Sequence, residues 1–332
     1  MGDPTGVGPE VLAKALADLT RHSGSSPTAH LLLVGDSAVW RDAQRSAEVR
    51  ISTVAADRPG PIADSAVPFL DVPPADRSWR MGEMSPIAGQ ASATWLERAA
   101  RMALDGLADA VVFAPLNKQA MIRAGYSIRD EYDLCARLAQ IDDHDEMNVI
   151  PHPAAQHSGS ELLWVARATA HVALRDVPSL LTTERILRTI RLAHRVAKSA
   201  AGTDPRIGVA GLNPHSGEGG LLGDEELRVI RPAIEKARRE GLDASGPHPP
   251  DHIFRLARMG AFDVVVTMYH DQAQIATKLL GFERGVSVGV GYPFVLTTPS
   301  HGTAFDIAGK GIADHRPMLE ALRLAQRLTN RS

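Results

Sequence analysis

The chain has 332 residues, 44% of them hydrophobic and 23% charged, which is enough for one large α/β core or two smaller domains. A formal net charge of −3 and a pI near 6.5 exclude bulk attraction to nucleic acid or anionic lipid, and no apolar run approaches the ~20 residues that span a bilayer. A single cysteine, Cys135, excludes an internal disulfide, and MGDPTGVGPE lacks the basic-then-apolar order of a secretory signal. A cytoplasmic protein with neither nucleic acid nor membrane as partner is expected.

In chain order, β-type runs are expected at 30–36 (HLLLVGD), 109–116 (DAVVFAPL), 206–212 (RIGVAGL) and 263–269 (DVVVTMY). Helical periodicity marks 91–107, 183–200, 224–240 and 316–329. Alternation of the two implies a largely parallel sheet with crossover helices. Asp57 to Arg80, with prolines at 59, 61, 68, 73 and 74, is expected to be a long surface connection. Arg185, Arg188, Arg191 and Arg195, at helical spacing, read as a solvated face rather than a basic binding surface.

Ligands of open α/β sheets sit at the carboxyl ends of strands, so the polar tails of these runs matter most. Three tails carry a histidine: His171 after LLWVARATA, His215 after RIGVAGL, and His270 after DVVVTMY. Three neutral imidazoles around a divalent ion leave a coordination position for a substrate oxygen, which suits a catalytic metal. Three separate hydrogen-bonded histidines are the alternative. In Asn213-Pro214-His215-Ser216-Gly217-Glu218-Gly219-Gly220 the proline and glycines let the loop hold its polar groups close to a ligand. In PSHGTAFDIAGKGIAD, His301-Gly302-Thr303-Ala304 can bring backbone amides against an adenine or a phosphate, and Asp306 can accept from the hydroxyls of an adenosine ribose. This is not the GxGxxG fingerprint, so a Rossmann dinucleotide domain is not expected.

PSHGTAFDIAGKGIAD resembles the cofactor loop of the isopropylmalate and isocitrate dehydrogenases. Across the whole chain, GDPTGVGPE, APLNKQA, HVALRD, GLNPHSGEGG, MYHDQ, GFERGV and HGTAFDIAG fall in the order and spacing of the 4-hydroxythreonine-4-phosphate dehydrogenases of pyridoxal phosphate biosynthesis. That resemblance implies an isocitrate/isopropylmalate dehydrogenase-like α/β fold of two domains with an active-site cleft between them. A cofactor-side domain is expected at 1–125 plus 285–332, and a central metal and dimerisation domain at 126–284. It implies a homodimer in which His171, His215 and His270 bind a divalent metal, zinc first and Mg, Mn or Co otherwise, with one of the three contributed across the dimer interface. Asp251, Asp271, Lys278 and Lys118 are then the expected catalytic residues. His301, Gly302, Thr303, Ala304 and Asp306 are expected to bind the cofactor, and the acid at Asp306 favours NAD over NADP by repelling a 2′-phosphate.

Glu131, Tyr132, Lys278, Ser287 and Leu296 occupy the expected substrate positions, and here the chain departs from the family. Phosphate-handling members have Gly-His-Thr-Glu where this chain has Asp130-Glu131-Tyr132-Asp133, and an asparagine and an arginine where it has Ser287 and Leu296. Loss of a guanidinium fork and gain of a carboxylate disfavour a phosphate dianion. The expectation is therefore an NAD-linked, metal-dependent dehydrogenase acting on the secondary alcohol of a non-phosphorylated hydroxy acid such as a cis-dihydrodiol carboxylate, possible decarboxylation included. A true 4-hydroxythreonine-4-phosphate or four-carbon phospho-sugar-acid dehydrogenase is the alternative, and a catalytically silent metabolite-binding relative is a second. Family members also carry an apolar strand before the GDP turn, where this chain begins at Met1, so an incomplete N-terminus is expected.

Overall fold

The structure, a computed structural model, describes residues 1–21, 30–62, 66–158 and 160–329. Strands run at β1 (Leu33–Gly35), β2 (Ser52–Ala55), β3 (Ala66–Asp71), β4 (Ala110–Val112), β5 (Asp145–Pro151), β6 (Leu162–Arg167), β7 (Ile207–Ala210), β8 (Ala244–His248), β9 (Val264–Thr267), β10 (Val286–Val290) and β11 (Val295–Pro299). The chain divides into two compact units, Met1–Asp145 with Gly291–Asn330, and Glu146–Val290.

In the first unit β3 lies between β1 and β2, parallel to both, and β4 pairs in parallel with β11. Helix Pro86–Leu104 starts where Ser85 caps it and Pro86, whose missing N–H costs nothing in the first turn, follows. Asp130 in the same way caps helix Glu131–Ala139, accepting from the Asp133 amide at 2.8 Å. One core gathers Val11, Leu16, Trp40, Val67, Trp95 and Met318, and a second gathers Leu96, Phe113, Tyr132, Cys135, Phe294 and Leu296.

The stretch from Asp57 to Arg80 is not all surface connection: Ala66–Asp71 is the middle strand of the small sheet. Its residues 63–65 lie outside the described part of the chain.

In the second unit the strand order is β10-β5-β6-β9-β7-β8. β5 and β6 are antiparallel, whereas β6, β9, β7 and β8 are mutually parallel in register, with Arg167 opposite Thr267 and Val209 opposite Val266. The three valines and the threonine of β9 are fully buried, as a strand covered on both faces requires. Helix Thr183–Ala201 packs Ile186, Leu187, Ile190 and Ala193 inward and leaves Arg191 and Arg195 exposed. The parallel register has a direct consequence: the tails of β6, β9 and β7 emerge at one edge of the sheet.

Candidate active site

His171, His270 and His215 follow β6, β9 and β7, so all three lie at the carboxyl edge of three neighbouring strands. The rings of His171 and His270 stand 5.5 Å apart between centroids. His270 opens helix His270–Gly281, and its Nδ1 meets the Asp271 carboxylate at 2.7 Å, which fixes the ring and leaves Nε2 for another partner. His215 lines one pocket with Asp251, Tyr269, Asp271 and Gln272. Among the described residues no three His, Cys, Asp or Glu side chains of a single chain converge on one point. The donor set nevertheless suits a borderline divalent ion: imidazoles, exposed or half-exposed, one of them oriented by a carboxylate.

The backbone at these positions is unusual. Among the described residues, non-glycine residues with positive φ are Glu48, Gln140, His171, His215, Ser216, Glu218 and Ala304, so five of these seven fall in the candidate site segments. His215 to Gly219 is left-handed throughout, with φ of 51°, 54°, 77°, 44° and 69°. Each L-residue there costs about 1–2 kcal/mol relative to its right-handed form, a cost that surrounding structure must overcome.

That structure is Glu226, a residue sequence reasoning missed. Its carboxylate, 1% exposed, accepts from the Leu212 amide at 2.8 Å, the Asn213 amide at 2.7 Å and Asn213 Nδ2 at 3.0 Å. A Cβ on Gly217 would come within 2.7 Å of Glu226 Oε2, so the loop closes on the acid only because residue 217 has none. The signal was present: Glu226 continues the apolar stripe of Ile230, Ala233, Ile234 and Ala237, where a carboxylate has no business unless it is bonded. Gln272 ties the next tail to this one, accepting from the Met268 amide at 2.9 Å and donating to the Gly211 carbonyl at 3.1 Å.

The cofactor-loop residues lie in the first unit and are held by the opening motif. Val7 donates its amide to the Thr303 carbonyl at 2.9 Å, and a Cβ on Gly6 would meet Thr303 at 2.8 Å. Glu10 accepts from the Gly311 and Ala313 amides, while Lys14 donates to both of their carbonyls. Burial pushes His301 below the ordinary histidine range, against the Gly302 carbonyl that accepts from Nδ1 at 3.0 Å. The neutral ring therefore turns toward its surroundings a buried Nε2 lone pair with no donor among the described residues. Gly302 has open space around it, and Asp306 is exposed. A buried acceptor, an open glycine and an accessible carboxylate fit the amino and hydroxyl donors of an adenosine.

The remaining expected residues are distributed between the units. Lys118 Nζ stands 3.7 Å from the Glu131 carboxylate, so the two meet as an ion pair in the first unit. Tyr132 and Leu296 are core residues there, 5% and 0% exposed, with Tyr132 edge-on to Phe113. Lys278 is exposed on helix His270–Gly281 and Ser287 is buried on β10, both in the second unit.

A family profile described as pyridoxal phosphate biosynthetic protein PdxA matches residues 27–325. The D-threonate 4-phosphate dehydrogenase of Cupriavidus necator is 37% identical over 100% of this chain and 96% of its own. A crystal structure of 4-hydroxythreonine-4-phosphate dehydrogenase from Klebsiella pneumoniae superposes with a TM-score of 0.82 at 36% identity, covering 99% of this chain and 97% of that one. A terephthalate 1,2-cis-dihydrodiol dehydrogenase from Burkholderia xenovorans LB400 gives a TM-score of 0.65 at 27% identity, covering 98% and 96%. The architecture is the isocitrate/isopropylmalate dehydrogenase-like α/β fold, as expected. A match over nearly the whole length, together with these site segments, means that the chain belongs to the PdxA family of dehydrogenases.

Proposed function

We propose that the protein oxidises the secondary hydroxyl of a four-carbon hydroxy acid 4-phosphate, with NAD as hydride acceptor and a divalent metal held in a homodimer by His171, His215 and His270. The observation that carries the catalytic part is the left-handed, Glu226-clamped backbone at the histidine-bearing strand tails, strain of the kind that persists where a site needs it. The names of the relatives support a phosphorylated substrate over the non-phosphorylated one that Glu131 and Leu296 suggest in the sequence.

His171, His215 and His270 would hold a divalent ion that would supply Lewis acidity, and the His301–Asp306 loop would hold NAD, which would supply a hydride acceptor. The chain's own residues bind, orient and move the proton. Asp271 holds the His270 ring by its Nδ1. Asp251, exposed in the pocket that His215 lines, is the carboxylate that receives the hydroxyl proton, while Asp271 stays on the His270 ring. Lys278 offers the substrate a mobile cation from helix His270–Gly281. Lys118 offsets the Glu131 charge, which removes part of the objection to a phosphate near that acid. His301 Nε2 and Asp306 accept from the adenosine, and the Asp306 carboxylate repels a 2′-phosphate.

A second reading, a carboxylated dihydrodiol as substrate, is favoured by Leu296, fully buried where phosphate-handling members have an arginine. Steady-state kinetics on the metal-loaded protein separates the two. With D-threonate 4-phosphate or 4-phosphohydroxy-L-threonine, kcat/KM of ~10⁴ M⁻¹s⁻¹ or above supports the proposal. Turnover only of non-phosphorylated dihydrodiol acids transfers the chain to the second reading, and no NAD reduction with either class overturns both.

A further inference from the structure

Arg167 is the only lysine or arginine among the described residues withdrawn from solvent, at 2% exposed. It ends β6, at the same sheet edge as the histidine tails. Its Nη1 donates to Asn148 Oδ1, and Nη2 donates to the Glu146 carbonyl at 3.3 Å and meets the Glu146 carboxylate at 3.2 Å. Nε is buried and has no acceptor among the described residues. A guanidinium donor left unsatisfied in the interior is costly, so a structural ion pair alone accounts poorly for this arrangement.

The network leads to substrate-side residues. Asn148 Nδ2 donates to Ser287 Oγ at 3.2 Å, and Gln274 Nε2 donates to Asn148 Oδ1 at 2.8 Å. Lys278 follows Gln274 by four residues on helix His270–Gly281, hence on the same face one turn along. Neighbouring strands β10, β5 and β6 thus contribute Ser287, Asn148 and Arg167 in a row.

We propose that Arg167 is a specificity-determining residue for the anionic end of the substrate, presenting positive charge through its Nε and through the Asn148–Ser287 arm beside Lys278. The inference rests on the phosphorylated-substrate reading given above for its choice of phosphate over carboxylate. Glu146 meets the guanidinium at Nη2 only, and its side chain is 21% exposed, so the Nε–H is left for another acceptor. Burial strengthens a charge-assisted bond there relative to one made in water.

The test uses the full-length, zinc-loaded protein, with inorganic phosphate and malonate as calorimetric probes and D-threonate 4-phosphate as kinetic substrate. Arg167→Met is expected to weaken phosphate binding at least ~10-fold and to raise KM at least ~10-fold more than it lowers kcat, with Arg167→Lys recovering part of the loss. Ser287→Ala, which leaves the buried pair intact, is expected to weaken phosphate by about 3-fold or more, so the proposal stays testable if Arg167→Met does not fold. Unchanged phosphate affinity in a folded Arg167→Met, or in Ser287→Ala where the former does not fold, overturns the inference. Weakened malonate binding with phosphate untouched overturns it also. Because calorimetry needs no turnover, failure of the protein to oxidise any phosphorylated acid would sink the proposed function while leaving the Arg167 result readable by itself.

Discussion

Cys135 lies wholly buried on helix Glu131–Ala139, and burial pushes its thiol up from 9.0 to about 12, with Glu131 and Asp130 adding in the same direction. The folded state therefore favours the protonated form. The stabilisation is fully present below pH 9.0, the ordinary value that unfolding restores, and is lost as pH rises toward 12. Native protein at pH 8 is expected to resist iodoacetamide, with alkylation only after guanidinium unfolding. Rapid modification of the native thiol would show that this helix opens readily. At this scale the sequence was legible wherever a residue's chemistry conflicts with a bland location. Three histidines after apolar strands and a lone acid in a glycine loop stood out. Arg167 did not, because one arginine at the end of an apolar run looks like the first solvated residue beyond a strand, whereas β6 lies between β5 and β9 with Arg167 opposite Thr267.

At the scale of elements, the loop from Asn213 to Gly220 depends on the segment Glu226–Ile230 that clamps it. Glu226→Ala would leave the Leu212 and Asn213 amides without their acceptor at a cost on the order of 3 kcal/mol, and Glu226→Gln would retain the shape while replacing an acceptor with a donor. Both variants are expected to melt several degrees lower and to lose bound zinc, alanine more than glutamine. Wild-type metal content in Glu226→Ala would mean that the left-handed turn stands without its clamp. The cofactor loop makes a parallel case: Asp306→Lys is expected to move kcat/KM toward NADP, and an unchanged NAD/NADP ratio would place the cofactor elsewhere. Strands β4, β7 and β9 were readable because short apolar runs rich in valine and isoleucine have few alternatives. β3 was not, since Pro68 sits opposite Val54 inside it and removes a ladder donor that a middle strand normally needs. β5 begins with Asp145 and Glu146 and β8 contains Gly246-Pro247, so neither carries an apolar alternation.

At the scale of the whole molecule, the proposed metal site draws on more than one chain. His171 and His270 approach each other within one chain, yet no three ligating side chains of that chain meet among the described residues. The proposed homodimer supplies the missing ligand reciprocally: each chain lends one histidine to its partner and receives one. Subunit mixing tests this directly. If two inactive variants carry their substitutions on opposite sides of the exchange, a heterodimer of the two has one site with both defects and one with none. If both substitutions fall on the same side, every site keeps one defect. Random reassociation makes about half the dimers heterodimers, so a complementing pair regains about a quarter of wild-type activity. Among the three pairwise mixtures of His171→Ala, His215→Ala and His270→Ala, two are therefore expected to regain about a quarter and one to stay inactive, and the silent pair names the two histidines donated by the same chain. Zinc content should follow the same pattern, measured on the mixed and repurified dimers. Three silent mixtures, with each variant still dimeric by light scattering, would mean that the ligands come from one chain and that the shared site is wrong.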